Sequence, residues 1–517
     1  MSPTPDRALV SRTLLCLLAL IPVWALGILH LPHPFDGDQA LIMVGARALE
    51  DGGRLYVDFW DNKQPGIYLF YWLAGKLFGF DEVGAHTLEL IWYSGLAVWM
   101  TLGLGAYLQR PWLAALVPLA SVGLFYGMSD KWHLTQVEAL VSLPLFGCLV
   151  LSTDLEATGG RQFRRWFLSG LCAGVLVTFK QALAPLAMVI WTVAIVVRLG
   201  CDRGAAWRPI ATGVAGASLG GAVLLGIVAA GFALHGSLRE MMWTTFVFPM
   251  EALAKAAATP YSRLTGSIAW FAANTLPVLL LSLLALVAWR GVRREVLTLA
   301  ILACVLVSGC VILIQRLSWW PYHFCLLLVP LGILGVRGID ALLPDEPWQG
   351  RRWKSALAGV ALALLVLGPV LRSLGIKARA FAQEVVRDTS WQGEYQRAID
   401  ADEKRIWEAT QFLRDEPTPK PIYVFGNPLC LYLSGRPQAM AAHGWSWETF
   451  PPSKWAALPE KLRAARPEWL FTDADYAGLI DERSPETRRV VTELYEKRTV
   501  TPDGVWFRLK NGESVIR

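Results

Sequence analysis

Long runs of apolar residues recur along most of the chain and are separated by short polar stretches. A helix needs about 20 largely apolar residues to cross the hydrocarbon layer of a bilayer. Runs close to that length lie near 9–30, 86–107, 111–127, 135–153, 165–180, 181–199, 208–234, 266–289, 296–315, 319–338 and 355–374. The pattern predicts a polytopic α-helical membrane protein with about 11 transmembrane helices, in a range of about 10 to 13.

One part of this pattern has two interpretations. Residues 165–199 contain Lys180 and Pro185 in the middle of an otherwise apolar sequence. A charged residue and a proline both interrupt an apolar helix. The segment therefore forms either two short, half-spanning helices that break near Lys180 and Pro185, or one long bent helix.

Charged residues make up only 17% of the chain, compared with about 25% in soluble proteins, and the basic ones are unevenly placed. If the N-terminus is cytoplasmic, the short outer loops contain few basic residues, among them Lys131, Lys180 and Arg316. Basic residues favour cytoplasmic loops, so the asymmetry predicts a multi-pass protein of the inner or plasma membrane with a cytoplasmic N-terminus. The basic residues of the predicted cytoplasmic loops are Arg110, Arg161, Arg164, Arg165, Arg198, Arg203, Arg208, Arg290, Arg293, Arg294, Arg351, Arg352 and Lys354.

The sequence changes character after residue 374. Residues 1–374 are predicted to form a transmembrane module, and residues 375–517 a small soluble extracytoplasmic α/β domain. A helical stretch at 394–415 precedes three short runs that are rich in β-forming residues and bounded by turn residues. These three predicted strands are 421–425, 469–472 and 505–509.

The first predicted outer loop, residues 31–85, is too regularly patterned to be a simple connector. Asp38 can cap a helix that runs to about Glu50, because aspartate is a preferred N-cap residue. Pro65 suits the first turn of a second helix over 66–79. Both helices have apolar residues at helical spacing, which predicts interfacial helices on the outer leaflet. The polar residues before and between these helices include Asp36, Asp38, Tyr56, Asp58, Asp61 and Lys63.

Short motifs follow the first span in a fixed order. They are Asp38–Gln39, a glycine-ended helix from Ala46 to Gly53, Tyr56, and Lys63–Gln64–Pro65 leading to Tyr68, Tyr71 and Trp72. In this order they resemble the GT-C fold glycosyltransferases that use polyprenyl-phosphate sugars, especially the protein O-mannosyltransferase and aminoarabinose-transferase-like group. Family members carry an Asp–Glu pair and a Lys–Pro–Pro-like element, so Gln39 and Gln64 are departures. Asp36 adds a carboxylate upstream.

Three later segments resemble the same family. The glycine-rich run GLCAGVLVTF ends in Lys180, and the aromatic run WWPYHF places Tyr322 and His323 at the entry to a late span. The run FGNPLCLYLSGRPQAM resembles a segment common in the outer domain of bacterial members. The resemblance therefore covers most of the chain and implies a GT-C-like transmembrane module.

The resemblance implies a membrane glycosyltransferase that moves a hexose or pentose from a polyprenyl-phosphate donor to an acceptor hydroxyl on the extracytoplasmic face. An inverting single displacement needs one carboxylate base and no covalent intermediate. Asp38 is the candidate base and Asp36 is the second choice, and which of them acts stays open. The donor is a lipid-linked sugar, and the acceptor is a glycan, a lipid or a protein. No further cofactor, no metal and no nucleic acid are predicted.

The other candidate residues lie in the first outer loop or at predicted outer ends of spans. Lysine and histidine can donate hydrogen bonds to phosphate oxygens. The residues predicted to bind the donor phosphate are Lys63, Lys180 and His323. The residues predicted to contact the acceptor or the sugar are Glu138, Asp58 and Tyr56.

Each of these assignments has a structural alternative. Asp38 could serve only as a helix cap. Lys63 and Lys180 could extend their ammonium groups from the bilayer toward water. His323 could belong to the aromatic belt at the membrane interface.

Two other functions fit a chain of this kind. A transporter or flippase of lipid-linked glycans would have charges near the midplane and repeated halves, whereas here the ionisable residues lie near predicted outer ends. A ligase that uses a diphosphate-linked donor would also act on the outer face, and the sequence leaves that alternative open.

Overall fold

Helices form most of the structure, as the apolar runs predict. The computed structural model describes residues 5–201, 207–255, 260–286, 292, 295–315, 319–343, 359, 368, 370–383, 391–416, 420–447 and 450–510. The first helices are α1 Pro5–His30, α2 Gly37–Glu50, α3 Pro65–Phe78, α4 Glu82–Gly103, α5 Leu124–Met128, α6 Val137–Leu140, α7 Ser142–Ser152, α8 Gly159–Phe179, α9 Ala184–Cys201 and α10 Trp207–Leu234. The next are α11 Leu238–Met242, α12 Phe248–Lys255, α13 Tyr261–Ala285, α14 Val296–Ile314, α15 Leu328–Leu342 and α16 370–383. The last are α17 Trp391–Ile399, α18 Ala401–Arg414, α19 Leu429–Ser434, α20 Pro452–Ala465, α21 Ala474–Arg483 and α22 Pro485–Leu494.

The chain divides into two compact units. The first comprises Met1–Pro32, Val83–Val228 and Thr259–Gln383, and the second comprises His33–Glu82, Ala229–Ala258 and Glu384–Arg517. The first outer loop thus belongs to the same unit as most of the C-terminal region. The division into 1–374 and 375–517 remains a prediction.

Seven stretches in the described part of the chain are long and apolar enough to cross a membrane. The predicted spans near 86–107, 135–153 and 165–180, which contain α4, α6 with α7, and α8, are not among them. The eleventh predicted span, 355–374, lies largely outside the described residues. The number of 11 transmembrane helices therefore remains a prediction. The seven stretches are Val10–His30, Pro111–Met128, Gln181–Cys201, Trp207–Leu234, Tyr261–Ala285, Val296–Ile314 and Pro321–Leu342.

The segment with two interpretations forms two helices. Helix α8 ends at Phe179, Lys180 has an extended backbone (φ −161°, ψ 108°), and α9 begins after one 3-10 turn. Pro185 lies in the first turn of α9, where its missing N–H breaks no helical hydrogen bond. With 21 and 18 residues, the helices are about 31 and 27 Å long. The one-helix interpretation is wrong, and neither helix is short enough to span only half of a bilayer.

Close helix packing in the first unit depends on a small residue. A Cβ atom at Gly338 in α15 would lie 2.0 Å from the carbonyl oxygen of Leu281 in α13. No side chain fits at that distance, so glycine allows the two backbones to approach. Small residues commonly have this role where membrane helices cross.

Polar clusters occur at both ends of α14. Glu295 immediately precedes this 19-residue helix and pairs with Arg337, with the Nη2 and Oε1 atoms 2.5 Å apart. Gln315 immediately follows the helix and accepts a hydrogen bond from Lys180. A helix of this length spans about 28 Å, close to the roughly 30 Å hydrocarbon thickness of a bilayer. The spacing agrees with the predicted alternation of loops along the chain.

The second unit contains a four-stranded sheet in the order β1-β2-β4-β3, with β1 Ile422–Phe425, β2 Trp469–Asp473, β3 Tyr495–Thr501 and β4 Gly504–Leu509. Strands β1 and β2 are parallel, with Ile422 opposite Trp469, and the other two pairings are antiparallel. The three predicted strand runs lie in β1, β2 and β4. The sequence did not indicate β3 because its YEKRTVT segment is charged and mostly exposed, as is common at a sheet edge.

The predicted helix over 394–415 is two helices, α17 and α18. They are interrupted at Asp400, whose carboxylate accepts a hydrogen bond from the backbone N–H of Glu403 at 2.8 Å and so caps α18. An aspartate that satisfies a free N–H group in this way favours a helix start over helix continuation.

The two helices of the first outer loop form, but their first residues differ from the prediction. Asp36, not Asp38, is the N-cap of α2, and it forms a capping box with Gln39. The Gln39 side chain accepts a hydrogen bond from the backbone N–H of Asp36 at 2.6 Å. Asp38 is thereby left free of the capping role and lies in the first turn of the helix. Helix α3 begins one residue earlier than predicted, with Pro65 in its first turn.

Candidate active site

Two carboxylates and one lysine of the first outer loop form an ion cluster in the second unit. Lys63 Nζ lies 3.1 Å from Asp38 Oδ1 and 3.3 Å from Asp61 Oδ2. Asp38 reaches this position from the first turn of α2, and Lys63 lies just before α3. The start of each loop helix thus helps to bring the three charges together. We call Asp38, Asp61, Lys63 and their partner His443 the loop cluster.

Both carboxylate oxygens of Asp61 accept hydrogen bonds from neighbouring groups. Its Oδ1 atom accepts hydrogen bonds from the backbone N–H of Asn62 at 2.7 Å and from His443 Nε2 at 2.9 Å. Its Oδ2 atom accepts from the Tyr68 hydroxyl at 2.5 Å and from Lys63. A carboxylate offers about four acceptor positions, so Asp61 has no capacity left for a substrate proton.

The charges of the loop cluster stabilise one another. Burial opposes ionisation of Asp61, whose side chain is only 1% exposed, but Lys63 and His443 outweigh it and hold the pKa of Asp61 below its ordinary value. Burial likewise opposes the charge of Lys63, but Asp38 and Asp61 together raise the pKa of Lys63. The lysine therefore stays a cation and Asp61 stays an anion at neutral pH.

The hydrogen bonds of His443 fix the orientation of its ring. Its Nδ1 atom lies 3.0 Å from the backbone N–H of Trp445 and accepts that hydrogen bond. A neutral imidazole then carries its proton on Nε2, and this N–H donates to Asp61. Asp38, Asp61 and Lys63 give the loop cluster two carboxylates and one ammonium group, so these three side chains together carry one net negative charge when ionised.

Asp38 is the accessible carboxylate of the loop cluster. Its side chain is 25% exposed. Lys63 and the indole N–H of Trp445 both contact Oδ1, the latter at 3.2 Å. Within the described part of the chain, Oδ2 of Asp38 has no hydrogen-bonding partner. Asp38 can therefore accept a proton from a bound molecule, whereas Asp61 cannot.

A second polar cluster lies in the first unit. Lys180 Nζ lies 2.6 Å from Glu138 Oε1 and 2.6 Å from the side-chain oxygen of Gln315. His323 Nε2 lies 3.8 Å from the same Glu138 oxygen. Glu138 is 2% exposed and Lys180 is 24% exposed, so the ammonium group is the more accessible partner. We call Glu138, Lys180, Gln315 and His323 the span-end cluster.

The members of the span-end cluster come from four different spans. Lys180 lies in the extended link between α8 and α9, and Gln315 directly follows α14. Glu138 lies in the short helix α6, and His323 in a 3-10 turn over Pro321–Leu327. The sequence places all four at outer ends of predicted spans, and the structure brings them together.

Three of the predicted site residues have structural partners elsewhere. Asp36 caps α2. Asp58 is paired with Arg54, with the Arg54 Nε atom 2.9 Å from its carboxylate. Tyr56 is buried with a left-handed backbone (φ 72°), and its hydroxyl donates to the carbonyl oxygen of Lys63 at 2.8 Å. Tyr56 thus supports the segment that carries Lys63.

Four residues of these two clusters and their immediate surroundings were not predicted from the sequence. His443 and Trp445 lie in the C-terminal region, shortly after the family-like segment that ends at Met440, but no residue there was assigned a role. Gln315 is a neutral residue at the end of an apolar run. Asp61 lies between the two loop helices, but no role was predicted for it.

In the part of the chain that the structure describes, no group of three or more His, Cys, Asp or Glu residues is arranged to hold a metal ion.

Known structures share this fold over nearly the whole chain. ArnT from Cupriavidus metallidurans bound to undecaprenyl phosphate aligns with a TM-score of 0.59 and 13% identity over 98% of both chains. The apo state of the same ArnT aligns with a TM-score of 0.58 and 14% identity over 97% of this chain and 98% of that chain. The Archaeoglobus fulgidus oligosaccharyltransferase, tethered with an acceptor peptide, aligns with a TM-score of 0.51 and 9% identity over 97% of this chain and 74% of its own.

No family model and no curated protein sequence matches the chain. At identities of 9 to 14% the structural likeness shows the fold. The chain is a helical membrane protein that resembles the GT-C fold glycosyltransferases, and the resemblance predicted from the motifs of the first outer loop is confirmed.

Proposed function

We propose that the protein is an extracytoplasmic-face glycosyltransferase that moves a sugar from a polyprenyl-phosphate donor to an acceptor hydroxyl. Asp38 is the general base of an inverting single displacement. The fold supports a transferase of this kind, since one neighbour is bound to undecaprenyl phosphate and another is an oligosaccharyltransferase. The observation that carries the proposal is the Oδ2 atom of Asp38, which has no hydrogen-bonding partner among the described residues, whereas the other groups of the loop cluster are hydrogen-bonded.

The other carboxylates of the first loop have tasks that compete with a base function. Asp36 caps a helix, Asp58 is paired with Arg54, and all acceptor positions of Asp61 are filled. Asp38 keeps one carboxylate oxygen, Oδ2, without a hydrogen-bonding partner among the described residues. These contacts support Asp38 over Asp36 as the base.

In the proposed reaction the acceptor oxygen attacks the anomeric carbon of the donor sugar. The bond from that carbon to the phosphate oxygen breaks, and the electron pair leaves with polyprenyl phosphate. Asp38 takes the acceptor proton, and Lys63 holds the carboxylate in position. A positioned carboxylate base of this kind contributes about 10²- to 10⁴-fold to a rate.

We assign Lys180 to the phosphate of the lipid donor, with His323 beside it. Lys180 is the half-buried lysine of the span-end cluster and more accessible than Glu138, and lysine binds phosphate as a point charge. Lys63 was predicted to share this task. Its contacts with two carboxylates instead favour a structural task, because a cluster with one net negative charge repels phosphate.

A panel of donors tests the proposed function. We expect the purified protein in lipid nanodiscs to consume polyprenyl-monophosphate hexoses or pentoses and to release polyprenyl phosphate, measured by chromatography of radiolabelled lipid. Diphosphate-linked sugars serve as the comparison. Consumption of only the diphosphate-linked donors would identify a ligase. Movement of intact donor across proteoliposomes, without release of polyprenyl phosphate, would identify a flippase.

Replacing Lys180 by methionine is expected to raise the KM for the donor about 10- to 150-fold, because a hydrogen bond to a charged group contributes about 1.5 to 3 kcal/mol. The double variant Lys180→Met with Glu138→Gln avoids an unpaired buried carboxylate and should show the same rise. Lys76→Met is the matched control, since Lys76 also pairs with a glutamate but at an exposed site. An unchanged KM in both Lys180 variants would exclude Lys180 from donor binding.

A further inference from the structure

A short C-terminal segment contacts both carboxylates of the loop cluster. His443 Nε2 lies 2.9 Å from Asp61 Oδ1, and the indole N–H of Trp445 donates to Asp38 Oδ1 at 3.2 Å. The two residues are also joined to each other, because the backbone N–H of Trp445 donates to His443 Nδ1. One segment thus holds two carboxylates that belong to a distant part of the sequence.

We infer that His443 is a positioning residue for the proposed reaction, and that it acts through Asp61 and Lys63 to set the orientation and strength of the base Asp38. This inference rests on the proposed function. His443 touches no reacting atom in the proposed reaction. Its effect passes through the buried carboxylate that shares Lys63 with Asp38.

The surroundings of His443 fix its ring. The side chain is buried and lies against Phe450, with the ring centroids 5.8 Å apart. The indole N–H of Trp447 donates to the carbonyl oxygen of His443 at 2.5 Å, which holds the backbone as well. With Nδ1 occupied by Trp445, the only N–H proton of the neutral ring points at Asp61. The ring can therefore orient Asp61 but cannot turn away from it.

The charge of Asp61 controls how strongly Lys63 neutralises Asp38. When Lys63 is shared between two carboxylates, the loop cluster keeps a net negative charge, and this favours proton uptake by Asp38. Without the Asp61 charge, Lys63 and Asp38 would form a simple neutral pair. Asp38 would then be a weaker base, and a weaker base transfers the acceptor proton less effectively.

The titratable groups that face Asp61 are Tyr56, Lys63 and Tyr68 from the first outer loop and His443 from the C-terminal segment. Burial raises the pKa of both tyrosines well above the ordinary value, and the Asp61 charge adds to the rise. Both tyrosines therefore stay neutral over the pH range of a rate measurement, and the hydrogen bonds of His443 keep its ring oriented toward Asp61.

The pH dependence of kcat/KM in the full-length protein tests the inference. Asp61→Asn removes the charge but keeps the shape, and we expect the acidic limb of the profile to move to lower pH by about one unit as the plateau falls about tenfold.

His443→Leu should lower kcat about 10- to 100-fold with little change in donor KM. His443→Gln should keep most of the activity, because its side-chain N–H₂ can occupy the place of Nε2–H and donate to Asp61. His235→Leu is the matched control, because His235 is an exposed histidine of the same unit.

The outcomes separate this inference from the proposed function. If the kcat/KM of Asp61→Asn were lowered equally at every pH, with no shift of the acidic limb, Asp61 would have only a packing role. That result would overturn the inference. Equal activities of His443→Gln and His443→Leu would overturn it as well. If Asp38→Asn retained full transfer activity, the proposed function itself would fail first. Circular dichroism and size-exclusion profiles identify any variant that fails to fold.

Discussion

Replacing Asp38 by asparagine is expected to lower kcat/KM for transfer about 10³-fold while leaving the protein folded. Asparagine keeps the shape of the side chain and can still contact Lys63 and Trp445, but it cannot accept the acceptor proton. The loss of a general base typically costs about 10²- to 10⁴-fold in rate. Transfer is measured as polyprenyl phosphate released from a labelled donor, and folding as the thermal transition in detergent.

Two matched variants sharpen this test. Asp51→Asn changes an exposed aspartate at the other end of α2 and should leave transfer unchanged. Asp36→Asn should also be close to wild type, because asparagine caps a helix about as well as aspartate. Loss of activity in Asp36→Asn together with normal activity in Asp38→Asn would reverse the assignment of the base.

Replacing Arg337 by methionine is expected to lower the free energy of unfolding by about 3 to 5 kcal/mol, because it leaves the buried charge of Glu295 without its cation. Arg337 and Glu295 are 2% and 1% exposed, with Nη2 and Oε1 2.5 Å apart. Thr298 also donates to Glu295, and Arg337 donates to the carbonyl oxygen of Tyr107. The measurement is equilibrium or thermal unfolding in detergent micelles.

The double variant Arg337→Met with Glu295→Gln is the control for this prediction. It removes both charges, so it should recover much of the lost stability, since replacing a whole buried ion pair is often close to neutral. If the single variant lost less than about 1 kcal/mol, the range of exposed ion pairs, the buried pair would contribute little to this end of the bundle. Transfer activity per folded molecule should not change in either variant.

Hydropathy predicted most of the fold because membrane helices are long and uniformly apolar, so boundary errors of a few residues do not hide them. It failed where a helix start depends on one side chain. The N-cap of α2 is such a case, because Asp38 was predicted and Asp36 was found. Both are good caps, but only Asp36 is three residues from Gln39 and can form the capping box. The charged edge strand β3 was missed for a related reason, because an exposed strand needs no apolar pattern.

The two clusters could be predicted to different degrees. Lys180, Glu138 and His323 were identified because an ionisable residue at the end of an apolar run is unusual. Gln315 produced no such signal, although its side-chain oxygen lies 2.6 Å from Lys180. In the loop cluster, His443 could not be paired with Asp61 from a single sequence, because 382 positions separate them and no local pattern joins them.

The sequence separation of Asp61 and His443 has a consequence for the synthesis of the protein. At about 5 to 20 residues per second, a ribosome needs roughly 20 to 75 s to travel the 382 positions from Asp61 to His443. During that time Asp61 in the nascent first outer loop lacks its histidine partner. A premature stop codon between Lys63 and His443 would leave Asp38, Asp61 and Lys63 in the polypeptide but remove the histidine, so the loop cluster could not be completed.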